Sequence, residues 1–323
     1  MENITTPTKA RGNFLRNDVA NGSQEAIEFG SEGRYGYKVK PEYLETRQFL
    51  LEPISANTSL ERHGVELLDL REELEAAGVT EDNCNISSRE HRLAIGRVLI
   101  EAAERRFAPH IRAIHLADTS RVSGNSTYGE ATVRDTDRES SHRNAHHVFH
   151  LDKFLPGIAT LNGQEGALAG AENVVDAYWP HWKQDFASFG VTKEMAANYI
   201  HANAPGLLNV WVSLTPGQIK QEPLVVADKS SVALKCDAID DASTVGVLNV
   251  NFPGLFETIS LLRSRAVEEV RWLWHPNMRF GEAMLLSTTG TPHSAVWLAD
   301  RSWSRRKSAE IRVLAIEQNR HSS

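Results

Sequence analysis

Only two cysteines, Cys84 and Cys236, occur in 323 residues. That rules out a disulfide framework and a thiolate metal cluster. No apolar run comes near the roughly 18 to 20 residues that a membrane-crossing helix needs. The opening stretch MENITTPTKARGNFLRNDVANGSQE lacks the apolar core of a signal peptide, so a cytoplasmic protein without membrane contact is expected. Positive charge is not in excess either. Lys and Arg number 35 against 42 Asp and Glu, a formal net charge of −7, with no dense basic stripe, which argues against nucleic acid as a partner. The chain carries no Gly-x-Gly-x-x-Gly, no phosphate-binding Gly-rich loop and no Gly-x-Ser-x-Gly elbow. Dinucleotide, nucleotide and serine-hydrolase readings have no foothold.

What is present is a globular composition, with 41% hydrophobic residues, and a surplus of 13 histidines. A chain this long buries about three quarters of its unfolded surface, enough for a large core. Residues 1–30 are polar and are expected to be a loose arm. Residues 31–323 show no repeat and no clear linker, and are expected to form one domain. Short strands are expected within GRYGYKV and LERHGVELLDL, and a helix over 88–107, opened by Ser87-x-x-Glu90 and stopped near Pro109. The polar segment 119–147 reads either as a lid or as a flexible insertion. Strands are then expected at 148–152, 207–215, 223–228, 245–252, 282–288 and 310–316, with helical patterns near 171–200 and 256–274. Many short strands with turn signals between them point to a mainly β fold with flanking helices, an antiparallel barrel or sandwich.

Three elements carry chemistry. His150-Leu151-Asp152 lies on an expected strand, where residues two apart share a face, so His150 and Asp152 project together. An imidazole and a carboxylate on one buried face need a metal, a shared proton or hydrogen bonds. A structural His–Asp pair satisfies that need as well as a metal does. Arg312, within Glu310-Ile-Arg-Val-Leu-Ala-Ile316, sits on a late strand, and its planar fork suits a carboxylate. An internal salt bridge is the plain alternative. His293 follows the EAMLLST strand, where a packed histidine would be unremarkable.

Their order is more specific than any one of them. His-x-Asp on an early barrel strand, a distant histidine on a late strand and then an arginine is the arrangement of a non-haem iron oxygenase. Two histidines and one carboxylate hold one face of Fe(II), leaving positions for a bidentate oxo-acid and O₂. In that reading His150, Asp152 and His293 are the ligands and Arg312 holds the distal carboxylate of the oxo-acid. Asn209 and Trp211 share the strand parity that could face the metal cavity. Trp179, Trp182, Trp272 and Trp274 read mostly as core. His146 would share a face with His150 if the strand extended that far, although a solvated histidine explains it equally.

Several short blocks occur in a shared order: Leu60-Glu-Arg-His-Gly-Val-Glu-Leu67, VFHLD, Asn209-Val-Trp211, Pro223-Leu-Val-Val-Ala-Asp228 followed by Ser231-Val232, Trp274-His-Pro-Asn-Met278 with Glu282-Ala283, Pro292-His-Ser-Ala295 and Arg306-Lys-Ser-Ala-Glu-Ile-Arg312. Spread over roughly residues 55 to 317, they resemble the 2-oxoglutarate/Fe(II) oxygenase-like group that includes the cephem methoxylase component and fungal gibberellin-desaturase-type enzymes. The resemblance implies a double-stranded β-helix (jelly roll, cupin-like), His150, Asp152 and His293 as iron ligands, and Arg312 as the 2-oxoglutarate residue. Where that group often has arginine after Asn-x-Trp, this chain has Val212, so its substrate is not carried over.

The expected activity is Fe(II)- and 2-oxoglutarate-dependent oxidation by O₂ of a small natural-product or amino-acid-like molecule, releasing succinate and CO₂. Hydroxylation, desaturation and oxidative cyclisation are all open outcomes. Asp152 argues against a halogenase, in which a small residue leaves room for chloride. The alternatives are a jelly-roll binding protein without redox chemistry and a metal-dependent hydrolase. A homodimer is compatible with all three.

Overall fold

The computed structural model describes residues 7–19, 26–29, 37–107, 111–122, 142–143, 147–154, 192–194, 207–231, 247–251, 257–287, 291–299 and 306–317. Its strands, in chain order, begin with β1 (Thr8–Leu15), β2 (Ile27–Phe29), β3 (Tyr37–Val39), β4 (Leu44–Pro53), β5 (Val65–Asp69), β6 (Ile111–Val122), β7 (His142–Arg143) and β8 (His150–Phe154). They continue with β9 (Leu207–Ser213), β10 (Leu224–Ala227), β11 (Val247–Asn251), β12 (Glu257–Leu262) and β13 (Trp272–Trp274). The last four are β14 (Glu282–Ser287), β15 (His293–Ala295), β16 (Trp297–Leu298) and β17 (Lys307–Glu317). Helices are α1 (Leu60–His63), α2 (Arg71–Ala76), α3 (Arg89–Phe107) and α4 (Ala266–Glu269).

Two sheets make up the body. One has nine strands in the order β11-β12-β8-β15-β10-β13-β4-β1-β16, the other six in the order β5-β14-β9-β17-β6-β7. Apart from β4–β13 and β6–β7, the pairings within them are antiparallel. Strand alternation sorts the apolar residues into three cores. Between the sheets, Leu224, Val226 and Leu273 of the larger meet Val65, Trp211, Met284 and Leu286 of the smaller. The opposite face of the smaller sheet, through Leu208, Val210, Val212, Ile311 and Val313, packs on Ile95, Val98, Leu99, Ala102 and Ala103 of α3. The opposite face of the larger sheet gathers Phe14, Phe49, Phe149, Val225, Trp272 and Trp274. This is a jelly roll with a helix against one outer face, and the fold class agrees with the reading from sequence.

Most expected strands appear within two or three residues of their predicted limits. Three expectations need correction. Thr8–Leu15, inside the supposed loose arm, is a full strand running antiparallel to β4, with Ala10, Phe14 and Leu15 wholly buried. Its apolar residues are too few to alter the composition of residues 1–30, yet they fill one core. The helical pattern at 256–274 holds two strands, β12 and β13, with only the single turn of α4 between them. Leu261 and Leu262 are both buried on opposite faces, and a run apolar on both faces has no strand alternation to read. Within LERHGVELLDL the first four residues are helix α1, capped by Ser59, and only Val65–Asp69 is strand.

Helix α3 matches its prediction, but its cap is one residue later. The hydroxyl of Ser88 accepts from His91 N at 3.5 Å. Twelve-residue β6 was not foreseen, and it takes up the start of the segment considered as a lid. Residues 123–141 and nearly all of 171–200 lie outside the described residues.

Candidate metal centre

The site begins with register. His150 on β8 is the direct antiparallel partner of His293 on β15, and His293 in turn faces Val226 on β10. Leu261 completes the row on the other side of His150, and Leu273 lies beyond Val226. Directly opposed residues share a face, and Val226 and Leu273 belong to the core between the sheets. Both histidines therefore point to the jelly-roll interior. Phe149, which precedes His150, and Val225, which precedes the His293 partner Val226, face the other way.

The two imidazoles lie with ring centroids 4.4 Å apart, tilted by 50°, and each is only 5% exposed. Their Nδ1 atoms are held alike. His150 Nδ1 is 2.8 Å from the carbonyl oxygen of Val148, and His293 Nδ1 is 3.0 Å from that of Thr291. A carbonyl only accepts, so Nδ1 carries a hydrogen in both rings, and in the neutral imidazole this leaves the lone pair on Nε2. Metal-binding histidines are oriented in this manner, with the ring nitrogen that does not ligate donating to a backbone carbonyl. The donor set fits a divalent metal held through two Nε2 atoms.

Asp152 occupies the position two residues along β8 from His150, opposite Ile259 of β12. Its side chain lies outside the described residues. Among the described residues no group of three His, Cys, Asp or Glu side chains forms a metal cluster. The backbone thus places Asp152 on the same strand face as His150.

The smaller sheet supplies the opposite wall. Trp211 pairs with Met284 and Glu310, and Asn209 pairs with Leu286 and Arg312. Because Trp211, Met284 and Leu286 are core between the sheets, this row also faces inward. Asn209 is wholly buried and its Nδ2 donates to Glu310 Oε1 at 2.9 Å. Arg312 sits in this row by register, beside a bulge where β6 carries an extra residue against Arg312 and Val313; its side chain lies outside the described residues. Strand β8 approaches β9 across the interior, which brings the histidine row and the Asn209 row towards each other.

A buried polar cluster escaped the sequence reading. Arg306, 2% exposed, holds its guanidinium 5.4 Å from the Trp211 ring centroid and donates through Nη1 to the carbonyl of Glu222. Glu222 is itself buried, with φ of 55°, a left-handed conformation uncommon outside glycine. Its carboxylate lies 2.8 Å from Nε2 of His147, whose ring stacks on Trp297 at 4.4 Å. His147, at the end of the polar segment 119–147, is 1% exposed. The stretch Arg301-Ser-Trp-Ser-Arg-Arg-Lys307 resembles a solvated charge run, so nothing local marks Arg306 as interior.

Neither a protein-family model nor a curated protein matches the chain. Solved structures do. A variant of the iron and alpha-ketoglutarate-dependent endoperoxidase NvfI aligns over 99% of this chain and 100% of its own, at 14% identity and a TM-score of 0.57. The same endoperoxidase aligns over 97% of this chain and 99% of its own, at 12% identity and a TM-score of 0.56. A further structure of it, in a different conformation, gives 13% identity and a TM-score of 0.57 over the same shares. At such identities the likeness is one of fold, and it runs the full length of both chains.

Proposed function

We propose that this protein is an Fe(II)- and 2-oxoglutarate-dependent oxygenase that oxidises a small molecule with O₂. The observation that carries the reading is the pair of interior imidazoles opposed across β8 and β15, each with Nδ1 on a backbone carbonyl. Support comes from the fold shared with an iron and alpha-ketoglutarate-dependent endoperoxidase.

His150, Asp152 and His293 are assigned as the residues that hold the metal. When bound, Fe(II) supplies activation of O₂ coupled to oxidative decarboxylation of the oxo-acid to succinate and CO₂. The chain's own part is positioning. Carbonyls of Val148 and Thr291 orient the rings, and the apolar core between the sheets excludes bulk water from the interior. Two arginines are candidates for the distal carboxylate of the oxo-acid. Arg312 has the inward strand position opposite Asn209, and Arg306 has a buried guanidinium above Trp211. The narrower resemblance to cephem methoxylase and gibberellin-desaturase-type proteins, a natural-product or amino-acid-like substrate, and the cytoplasmic and homodimeric assignments rest on sequence alone.

Anaerobic addition of Fe(II) and 2-oxoglutarate is expected to give the weak visible charge-transfer band of a bidentate chelate. His150→Ala and Asp152→Ala should each abolish it. Arg306→Met and Arg312→Met identify the anchor, because the variant that loses it needs far more 2-oxoglutarate for the same band. A binding protein without redox chemistry gives no band, and a metal-dependent hydrolase turns over its substrate without oxygen.

A further inference from the structure

We infer that Gly64 is a positioning residue for His293, acting through Thr291; the inference rests on His293 being a metal ligand, as proposed above. Gly64 ends helix α1 and leads directly into β5. Its N–H closes the helix on Leu60 O at 2.9 Å, and its φ of 77° is left-handed. Its carbonyl accepts from Ser287 N at 2.9 Å and from Thr291 Oγ1 at 3.4 Å. Gly64 thus ties the end of β14 to the residue whose own carbonyl holds His293 Nδ1.

The approach is closer than any side chain allows. A Cβ on Gly64 would lie 1.9 Å from Thr291 Oγ1, 3.1 Å from Thr291 Cβ and 3.1 Å from Lys229 Cβ. Rotating the hydroxyl away would still leave the tight Cβ contact. Thr291 is wholly buried, and close-packed interiors leave few voids for a side chain to move into. The residues after it are pinned, since Pro292 O accepts from Ala227 N at 2.7 Å and His293 is in register with Val226 and His150. Displacement must therefore fall on the Thr291 peptide, whose carbonyl sets the rotation of the His293 ring. Loss of such an orienting partner typically weakens metal affinity about 10- to 100-fold.

The test is Mn(II) titration of the full chain in the presence of 2-oxoglutarate, read by the EPR signal of free Mn(II), alongside thermal unfolding. Gly64→Ala should raise the Mn(II) Kd at least about tenfold. Thr291→Gly keeps the carbonyl and should stay near wild type. Gly64→Ala/Thr291→Gly removes both the Oγ1 overlap and the 3.1 Å Cβ contact while keeping the backbone strain at residue 64, so its Kd should return towards that of Thr291→Gly although its Tm stays low. If Gly64→Ala does not accumulate as folded protein, Thr291→Ile brings the overlap from the other side, with Gly64 unstrained, and should raise the Kd likewise. A lowered Tm with unchanged Kd, or a double variant as weak in binding as Gly64→Ala, overturns the inference. Failure of the wild type to bind Mn(II) would instead overturn the metal reading on which it rests.

Discussion

Phe149 is the residue through which the outer core bears on the candidate metal centre, and its truncation gives a quantitative test. It immediately precedes His150 and is wholly buried. Its ring stacks on Phe14 at 4.5 Å and 12°, meets Trp272 at 4.3 Å and 56°, and meets Phe49 at 5.6 Å and 73°. Its backbone donates to Asn13 O and accepts from Leu262 N, so ring and strand are held together. Phe149→Ala leaves a cavity lined by rigid rings that collapse poorly. The general cost of such a truncation is about 3–5 kcal/mol. Each aromatic contact contributes about 0.5–1.5 kcal/mol beyond burial, which places this site near the upper end. At about 2.1 cal/mol/K per residue, 323 residues give an unfolding entropy of about 0.7 kcal/mol/K, so the Tm should fall by about 5–7 °C. Phe149→Leu keeps much of the volume and should cost about half as much.

A second substitution makes the test sharper. A Cβ at Gly12 would come 2.7 Å from Phe149 Cε2, so Gly12→Ala alone should destabilise through overpacking by about 1–3 kcal/mol. In the Phe149→Ala background the same methyl enters the cavity and should be neutral or stabilising. The measurements are urea and thermal unfolding by far-UV circular dichroism, combined in a double-mutant cycle. A loss below about 1 kcal/mol for Phe149→Ala, or additive effects for the pair, would refute this account of the outer core.

Other consequences are simpler to check. Burial pushes the Cys84 thiol above its ordinary pKa, so in a Cys236→Ser background iodoacetamide should modify Cys84 slowly in the native state and rapidly in urea. Hydrogen bonding and charge from Arg71 hold Asp69 below the usual carboxylate range, and the backbone and Arg106 do the same for Glu61. Stability from these groups is therefore fully present above pH about 5 and is lost as pH falls through their depressed folded pKa values, by a modest amount because the pairs are partly exposed. Denaturation midpoints in urea should be nearly equal at pH 7 and 5.5 and lower at pH 3.5. Arg263, 5% exposed, donates to the carbonyls of Arg16 and Asn17. Arg263→Met should cost about 1–3 kcal/mol and expose the segment after β1 to limited proteolysis.

Local patterns made much of this legible. Alternation at 148–152, 207–215 and 310–316 gives real strands, and apolar spacing gives helix α3. Two-residue spacing alone puts His150 and Asp152 at equivalent strand positions. Arg306, His147 and Glu222 were illegible for a common reason. Each is a polar residue in a polar-looking stretch, and its burial is set by what packs over it from distant parts of the chain. Strand β1 was missed because eight residues with a few apolar side chains hardly register in the composition of a longer segment.

The sequence by itself determined the fold class, the strand carrying His-x-Asp and the residue types able to hold a metal, because strand periodicity and donor chemistry are properties of short stretches. Only the tertiary structure decided that His150 and His293 are direct cross-strand partners, that Thr291 and Val148 orient them, and that Gly64 lies against Thr291. Those facts depend on which strands pair and in what register. Register is chosen by the whole set of faces that must be buried at once, so no local stretch contains it.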